Sequence, residues 1–206
     1  LMTILRVQLL LTGNELMSGD IVDSNSAMIA QLLKDIGIEL KRKVTVSDAL
    51  DLLLEEIRAI SAQSDVLIIN GGLGPTVDDM TAEALANAAN VEIVEHKDSL
   101  VHLENWSAKK HLSLTPQNLK QAMLPKGSMA IANSIGSAVG FELVMNDCRV
   151  ICTPGVPPEL KLMLTEEIIP ELAKELPEHL HNHVTRLQVF GIGESTIQKM
   201  IDDNLA

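Results

Sequence analysis

The chain has 206 residues, 46% of them hydrophobic and 21% charged, which excludes a disordered chain and gives one full domain with room for part of a second. Its formal net charge of −12 leaves no basic surface for duplex DNA. Trp106, Phe141 and Phe190 are the only aromatics, too few for a single-strand stacking platform, so no nucleic-acid partner is expected and the core must be aliphatic with Met filling gaps.

Arg6 to Thr12 is a short apolar run ending at Gly13, the pattern of a buried parallel strand. Asp23 or Ser24 can cap a helix whose apolar stripe is Ile29, Leu32, Leu33 and Ile36, and Gly37 stops it. Glu39 to Val46 contains Lys41, Arg42 and Lys43 and reads as a strand nearer a sheet edge. Asp48 is expected to cap the next helix, which carries Leu50, Leu53, Leu54, Ile57 and Ile60 on one face. Val66 to Ile69 is a fully apolar strand running into Gly71 and Gly72. Two successive βαβ units predict a parallel sheet with helices on both faces and ligand sites at the carboxyl ends of its strands.

Further on, Thr81 to Ala89 reads as a helix and Val91 to Val94 as a strand, while Ser99 to His111 and Gln117 to Met123 look helical. Gly140 to Asn146 and Cys148 to Cys152 form two strands of a hairpin turning at Asn146-Asp147. Cys148 and Cys152 fall on one face of their strand and are expected to be buried thiols rather than a disulfide or a metal site. Pro157 opens a helix with Leu160, Met163, Leu164 and Ile168 inward. The expected domain spans residues 1–176, followed by a polar linker at 177–183 and, at 184–206, a strand and a helix with Ile197, Met200, Ile201 and Leu205 inward. His179, His181 and His183 alternate through that linker and read as solvated. No apolar run reaches membrane-spanning length and the first residues lack a signal-peptide layout, so a cytoplasmic protein with no membrane partner is expected.

The richest segment is Gly71-Gly72-Leu73-Gly74-Pro75-Thr76-Val77-Asp78-Asp79-Met80-Thr81. Three glycines in four residues let backbone N–H groups approach a ligand, and the helix that follows adds the positive end of its dipole, a combination that suits phosphate. The same stretch could be a tight strand-to-helix turn with Asp78 and Asp79 near the helix start. Thr12-Gly13-Asn14-Glu15 forms a second loop at the same end of the sheet, so an acidic and a Gly-rich loop could share a phosphate and a divalent metal. Asn133 to Phe141 and Thr153 to Pro158 are small-residue loops that could add further walls.

Together these segments resemble, in order and over nearly the whole chain, the N-terminal domain of the CinA family and, more distantly, the MoaB/Mog molybdopterin-binding domains. The tail from Val189 to Ser195 resembles the opening of the family's middle domain. The resemblance implies a three-layer α/β/α fold with a mostly parallel sheet. It also implies a metal-dependent pyrophosphatase that cleaves ADP-ribose, or a related nucleoside diphosphate, to AMP and ribose 5-phosphate. Carried over, Gly71, Gly72, Gly74, Thr76, Ser137 and Gly155 would hold phosphate, Asp79 and Asp78 would be catalytic, and Asp79 with Glu15 would hold a divalent cation. The alternative is a molybdopterin- or nucleotide-binding module, or a pterin adenylyltransferase. Asn14 stands where relatives commonly have Asp, and Ser134, Ser137 and Val139 stand where the usual loop has Pro, Thr and Pro. A small-molecule nucleotide partner and a homo-oligomer, a dimer in the first instance, are expected.

Overall fold

The structure is a computed structural model that describes residues 5–176 and 190–205. The expected linker at 177–183, its three histidines and nearly all of the strand expected after it lie outside the described residues. In chain order the first elements are β1 (Val7–Thr12), α1 (Asn14–Ser18), α2 (Asn25–Asp35), β2 (Leu40–Val46), α3 (Leu50–Ser61) and β3 (Val66–Asn70). Then come α4 (Thr81–Ala89), β4 (Ile93–Glu95), α5 (Lys97–Lys110), α6 (Pro116–Leu119), a 3₁₀ turn at Lys120–Ala122, β5 (Met123–Pro125) and β6 (Met129–Ile131). The remainder is β7 (Gly140–Met145), β8 (Cys148–Thr153), α7 (Pro157–Met163), a π turn at Leu164–Ile168, α8 (Ile169–Lys174) and α9 (Glu194–Leu205).

The main sheet has the order β2-β1-β3-β8-β7-β6. Its first four strands are parallel, and β7 runs antiparallel to both β8 and β6. Every residue of β1 and β3 is buried, as two-sided cover requires, whereas β2 carries its lysines on an edge as expected. The alternation of strand side chains splits the core in two. Leu10, Leu67, Ile69, Val150 and Phe141 pack under Leu53 and Ile57 of α3 and Leu85 of α4. Leu9, Leu11, Val66, Ile68 and Ile151 pack against Ile29 and Leu33 of α2 and Leu160 and Met163 of α7. This is the three-layer α/β/α arrangement with a mostly parallel sheet.

Local chemistry explains most boundaries. Gly37, at φ 86°, ends α2 with the Ile38 N–H returned to the Leu33 carbonyl. The β7–β8 hairpin turns on Asn146 and Asp147, both left-handed at φ 52° and 59°, a type I′ geometry that matches strand twist. The helix after β8 widens to a π turn just before Pro170, which has no N–H and whose ring would meet the carbonyl one turn back. Cys148 and Cys152 are free and share one core; burial pushes the Cys148 thiol up to about 11 and the Cys152 thiol higher, so neither supplies a thiolate at neutral pH.

Several expectations are corrected. Asp48 does not cap α3, whose N-cap is Ala49 with no side-chain bond; its carboxylate reaches across to the β1 loop instead. The strand expected at 91–94 is the shorter β4, which pairs with β5 in a separate two-stranded ribbon. The helix expected over 117–123 breaks into α6 and the 3₁₀ turn, because Thr115 and Asn118 close a capping box that commits only one turn. In α9 the apolar stripe expected inward leaves Met200 and Ile201 exposed by 54% and 46%.

At the foot of β3, Asp65 accepts hydrogen bonds from the Arg6 backbone N–H at 2.7 Å and from its guanidinium at 2.8 Å. The Arg6 side-chain bond holds the Asp65 carboxyl below the usual carboxylate range, against a smaller desolvation effect. A depressed folded pKa contributes stability that is present above the unfolded value of about 4 and is lost as pH falls through the folded value. Asp65→Asn should therefore lower the melting temperature at pH 7, with the gap to wild type closing as both are titrated toward about pH 3. A gap that stays constant across that range would show that the charge on Asp65 contributes nothing.

Candidate functional site

Chain order carries β1 to β2 on one side and β3 on the other, so the crevice at the carboxyl ends of β1 and β3 is a topological switch point. An open cleft of about 630 Å³ lies there. The loop after β1 contributes Thr12, Gly13 and Glu15, the loop after β2 contributes Asp48, and the loop after β3 contributes Gly71 to Thr76, Asp78 and Asp79. The loop after β8 adds Pro154 to Pro157 and Glu159, and the loop before β7 adds Ser137 and Ala138. Glu15, Gly71, Gly72, Gly74, Thr76, Asp78, Asp79, Ser137 and Gly155, singled out from the sequence, are all brought to this one cleft.

The floor is held by amides. Asn70, 3% exposed at the end of β3, donates to Thr153 Oγ1 at 3.1 Å and to the Pro154 carbonyl at 2.7 Å. Asn25 at the start of α2 donates to Asn70 Oδ1 at 2.9 Å and to the Gly155 carbonyl at 2.7 Å. Asp23 orders that helix start by accepting the Ser26 N–H at 2.9 Å, with Lys43 Nζ at 3.0 Å. Burial alone would raise the Asp23 pKa, but the bonds from Ser26 and Lys43 outweigh it and hold the carboxyl below its ordinary value.

The glycines do different jobs. Gly71 and Gly72 have φ 109° and 68°, and a Cβ would lie 2.6 Å from the Thr12 carbonyl oxygen at Gly71 and 2.4 Å from Thr81 Oγ1 at Gly72. Both are required by the fold. A Cβ at Gly74 would meet Asp79 Oδ2 at 2.5 Å, so this glycine makes room for a carboxylate. Asp79 accepts the Thr76 N–H at 2.9 Å and the Thr76 hydroxyl at 2.6 Å through that oxygen, and Lys120 Nζ donates to the Thr76 carbonyl. Thr76, expected on phosphate, is thus engaged in shaping the loop. Asp79 does not cap α4, whose N-cap Met80 makes no side-chain bond. The N–H groups of Gly72, Leu73 and Gly74 donate to no other described residue.

Asp48, Gln121 and Glu159 line the cleft without having been singled out. Asp48 accepts the Thr12 hydroxyl at 2.6 Å and the Asn14 N–H at 3.0 Å, and its own N–H returns to Asn14 Oδ1 at 3.1 Å. Asn14 therefore pairs with the neighbouring loop through its backbone N–H and its side-chain oxygen, bonds that an Asp could also make. The carboxyl-end rule that located Glu15 would also have found Asp48. Glu159 accepts from Asn133 Nδ2 at 2.8 Å, and the Asn133 loop is held further by His102 on the Gly136 carbonyl and Trp106 on the Ile135 carbonyl. Five carboxylates border the cleft, and none of its described lining residues is Lys, Arg or His. Among the described residues no three His, Cys, Asp or Glu side chains converge closely enough to hold a metal by themselves.

A glycine with left-handed φ and blocked space should differ from one with open space. Gly72→Ala should cost about 2 kcal/mol or more in chemical denaturation, from left-handed strain plus the clash at Thr81. Gly155→Ala, whose Cβ would find only the Gly71 Cα at 3.6 Å, should change stability by less than about 0.5 kcal/mol. Equal losses would refute this division of roles.

Residues 8–174 match the family model described as “Probable molybdopterin binding domain”. A CinA-like protein of Colwellia psychrerythraea is 58% identical over 200 residues, 97% of this chain and 46% of that protein. The chain thus spans about half the length of the curated relatives it matches. The crystal structure of a CinA protein of unknown function from Thermoplasma acidophilum superposes with a TM-score of 0.73 at 34% identity, covering 80% of this chain and 97% of that one. The molybdopterin biosynthesis enzyme MoaB of Thermus thermophilus has a TM-score of 0.56 at 18% identity, covering 85% of this chain and 94% of that one, a likeness of fold alone. The chain belongs to the molybdopterin-binding domain family, in its CinA branch.

Proposed function

We propose that the cleft binds the phosphate end of a nucleotide or pterin, with a divalent cation as co-ligand. The observation that carries this reading is the mismatch between backbone and side chains at the switch point. Three N–H groups of the Gly loop have no acceptor among the described residues, which suits an anion, while five carboxylates border the same space, which repels one. A hard cation between carboxylates and phosphate reconciles the two.

The residues fit such a cation in one particular way. All side-chain donors on offer are oxygens, and no three carboxylates converge among the described residues. That pattern suits Mg²⁺ or Mn²⁺, which take one or two carboxylates and complete their shell with phosphate oxygens and water. Asp79 would supply its Oδ1, since Oδ2 is committed to Thr76, and Asp78 and Glu15 border the same space. When bound, the cation would offset charge on a pyrophosphate and lower the pKa of an attacking water. The Gly72–Gly74 amides would stabilise charge on the nonbridging oxygens.

A second reading is hydrolysis, in which water adds across the phosphoanhydride of ADP-ribose to give AMP and ribose 5-phosphate. It is favoured by the placing of carboxylates on both the β1–β2 and the β3 loops, which leaves one to hold the cation and another to accept the proton of the water.

Asp79→Asn tests both readings. Its Oδ1 can accept both bonds from Thr76, so the loop and the melting temperature should stay near wild type. Magnesium-dependent nucleotide affinity should fall, and AMP release from ADP-ribose should drop about a hundredfold or more. Unchanged Mg²⁺ dependence would remove Asp79 from the cation site. A wild type that binds nucleotide or pterin phosphate tightly with Mg²⁺ yet releases no AMP would leave binding as the function.

A further inference from the structure

The Gly loop is held from behind at each carbonyl whose peptide supplies a free N–H to the cleft. Thr81 takes two of these carbonyls: its hydroxyl donates to that of Gly71 at 2.8 Å and its backbone N–H to that of Gly72 at 3.2 Å. Two neighbours on the 3₁₀ turn take one carbonyl each. Gln121 Nε2 donates to the Leu73 carbonyl at 3.3 Å, and Lys120 Nζ donates to the Thr76 carbonyl. A planar trans peptide points its carbonyl and the following N–H in opposite directions. Tying back Gly71, Gly72 and Leu73 therefore turns the N–H groups of Gly72, Leu73 and Gly74 the other way, and these are the three groups with no acceptor among the described residues.

Gln121 is 8% exposed, and the bond to Leu73 is the only one its side chain makes among the described residues; its Oε1 is buried without a partner. A buried unpaired carboxamide oxygen is costly, and an apolar side chain of the same length would avoid that cost. Packing therefore does not account for a glutamine here, whereas the tied loop carbonyl does. Lys120 is the one Lys, Arg or His among the described residues lining the cleft or the cavity of about 400 Å³ that adjoins it, and it lines only the latter. Its bond polarises the Thr76 peptide from behind, and the same carbonyl accepts the Asp79 N–H at 3.3 Å. We infer that Lys120 and Gln121 are positioning residues of the anion site: Gln121 aims the Gly74 N–H through the Leu73 carbonyl, and Lys120 braces the Thr76–Asp79 turn through the Thr76 carbonyl. The inference rests on the phosphate reading of the cleft and deepens it by naming the side chains that set the direction of its donors. Both act through the backbone of the loop rather than on the ligand.

The test titrates the whole ¹⁵N-labelled chain with magnesium pyrophosphate and reads the amide resonances of Gly72, Leu73 and Gly74. All three should move in the wild type. Gln121→Met keeps the length of the side chain and loses the donor; it also removes the unpaired Oε1, so its melting temperature should stay near wild type. In this variant the Gly74 shift should fall to less than about half, the Gly72 and Leu73 shifts should persist because Thr81 still ties their peptides, and affinity should drop about tenfold. Lys120→Met should weaken binding by a similar factor, and Lys120→Arg, which can still donate to the Thr76 carbonyl, should restore affinity to within about threefold of wild type. If all three amides lose their shifts together in Gln121→Met, the turn merely holds the fold and the inference is overturned. Wild-type affinity in either Met variant removes that residue from the clamp. Magnesium pyrophosphate that moves none of the three amides in the wild type sinks the phosphate reading and this inference with it, whereas wild-type shifts left unaltered in both Met variants sink the inference alone.

Discussion

The site depends on ending three parallel strands side by side without leaving their backbone groups unpaired. Once β1, β3 and β8 stop, their loops meet, and at Gly71 and Gly72 the space is too narrow for a side chain. The Asn70 carboxamide solves the pairing by serving Thr153, Pro154 and Asn25 at once, and because it is buried, each bond it makes would be expensive to lose. Gly71 and Gly72 solve the packing by taking left-handed conformations against Thr12 and Thr81. Through Asn25 the same network fixes the start of α2, so the floor of the cleft and one helix layer are one mechanical unit.

Above that floor the walls are shaped by acids bound to their own loops. Asp79 folds the Gly loop through Thr76, Asp48 ties the β2 loop to the β1 loop, and Glu159 holds the Asn133 loop. Each of these carboxylates has a structural partner and still borders the cleft. The consequence is a negatively lined space in which the unpaired hydrogen-bond donors are backbone amides. Such a space favours phosphate only when a cation accompanies it.

The split between legible and illegible features follows range. The apolar runs of β1 and β3, the lysine-bearing β2, the hairpin at Asn146-Asp147 and the inward face of α7 are local patterns, and the structure has them as read. The short elements were not legible. β5 and β6 are three-residue strands whose pairing partners, β4 and β7, supply the signal that their own composition lacks. Asp48 was misread because an acid before a helix has an obvious local use, and the competing Thr12 and Asn14 partners are 36 and 34 residues away.

The sequence by itself determined the parallel α/β plan, the placing of the Gly-rich and acidic loops at one end of the sheet, and the family. Periodicity, turn chemistry and motif order are properties of neighbours along the chain, and a parallel sheet aligns its carboxyl ends without further instruction. Only the tertiary structure decided what each residue in those loops touches. Thr76 turned out to serve Asp79, Gly74 to make room for it, and Gln121 to stand at the cleft with its buried Oε1 unpaired. Those roles depend on distances between segments far apart in sequence, set by how helices and sheet pack, and no local pattern encodes them.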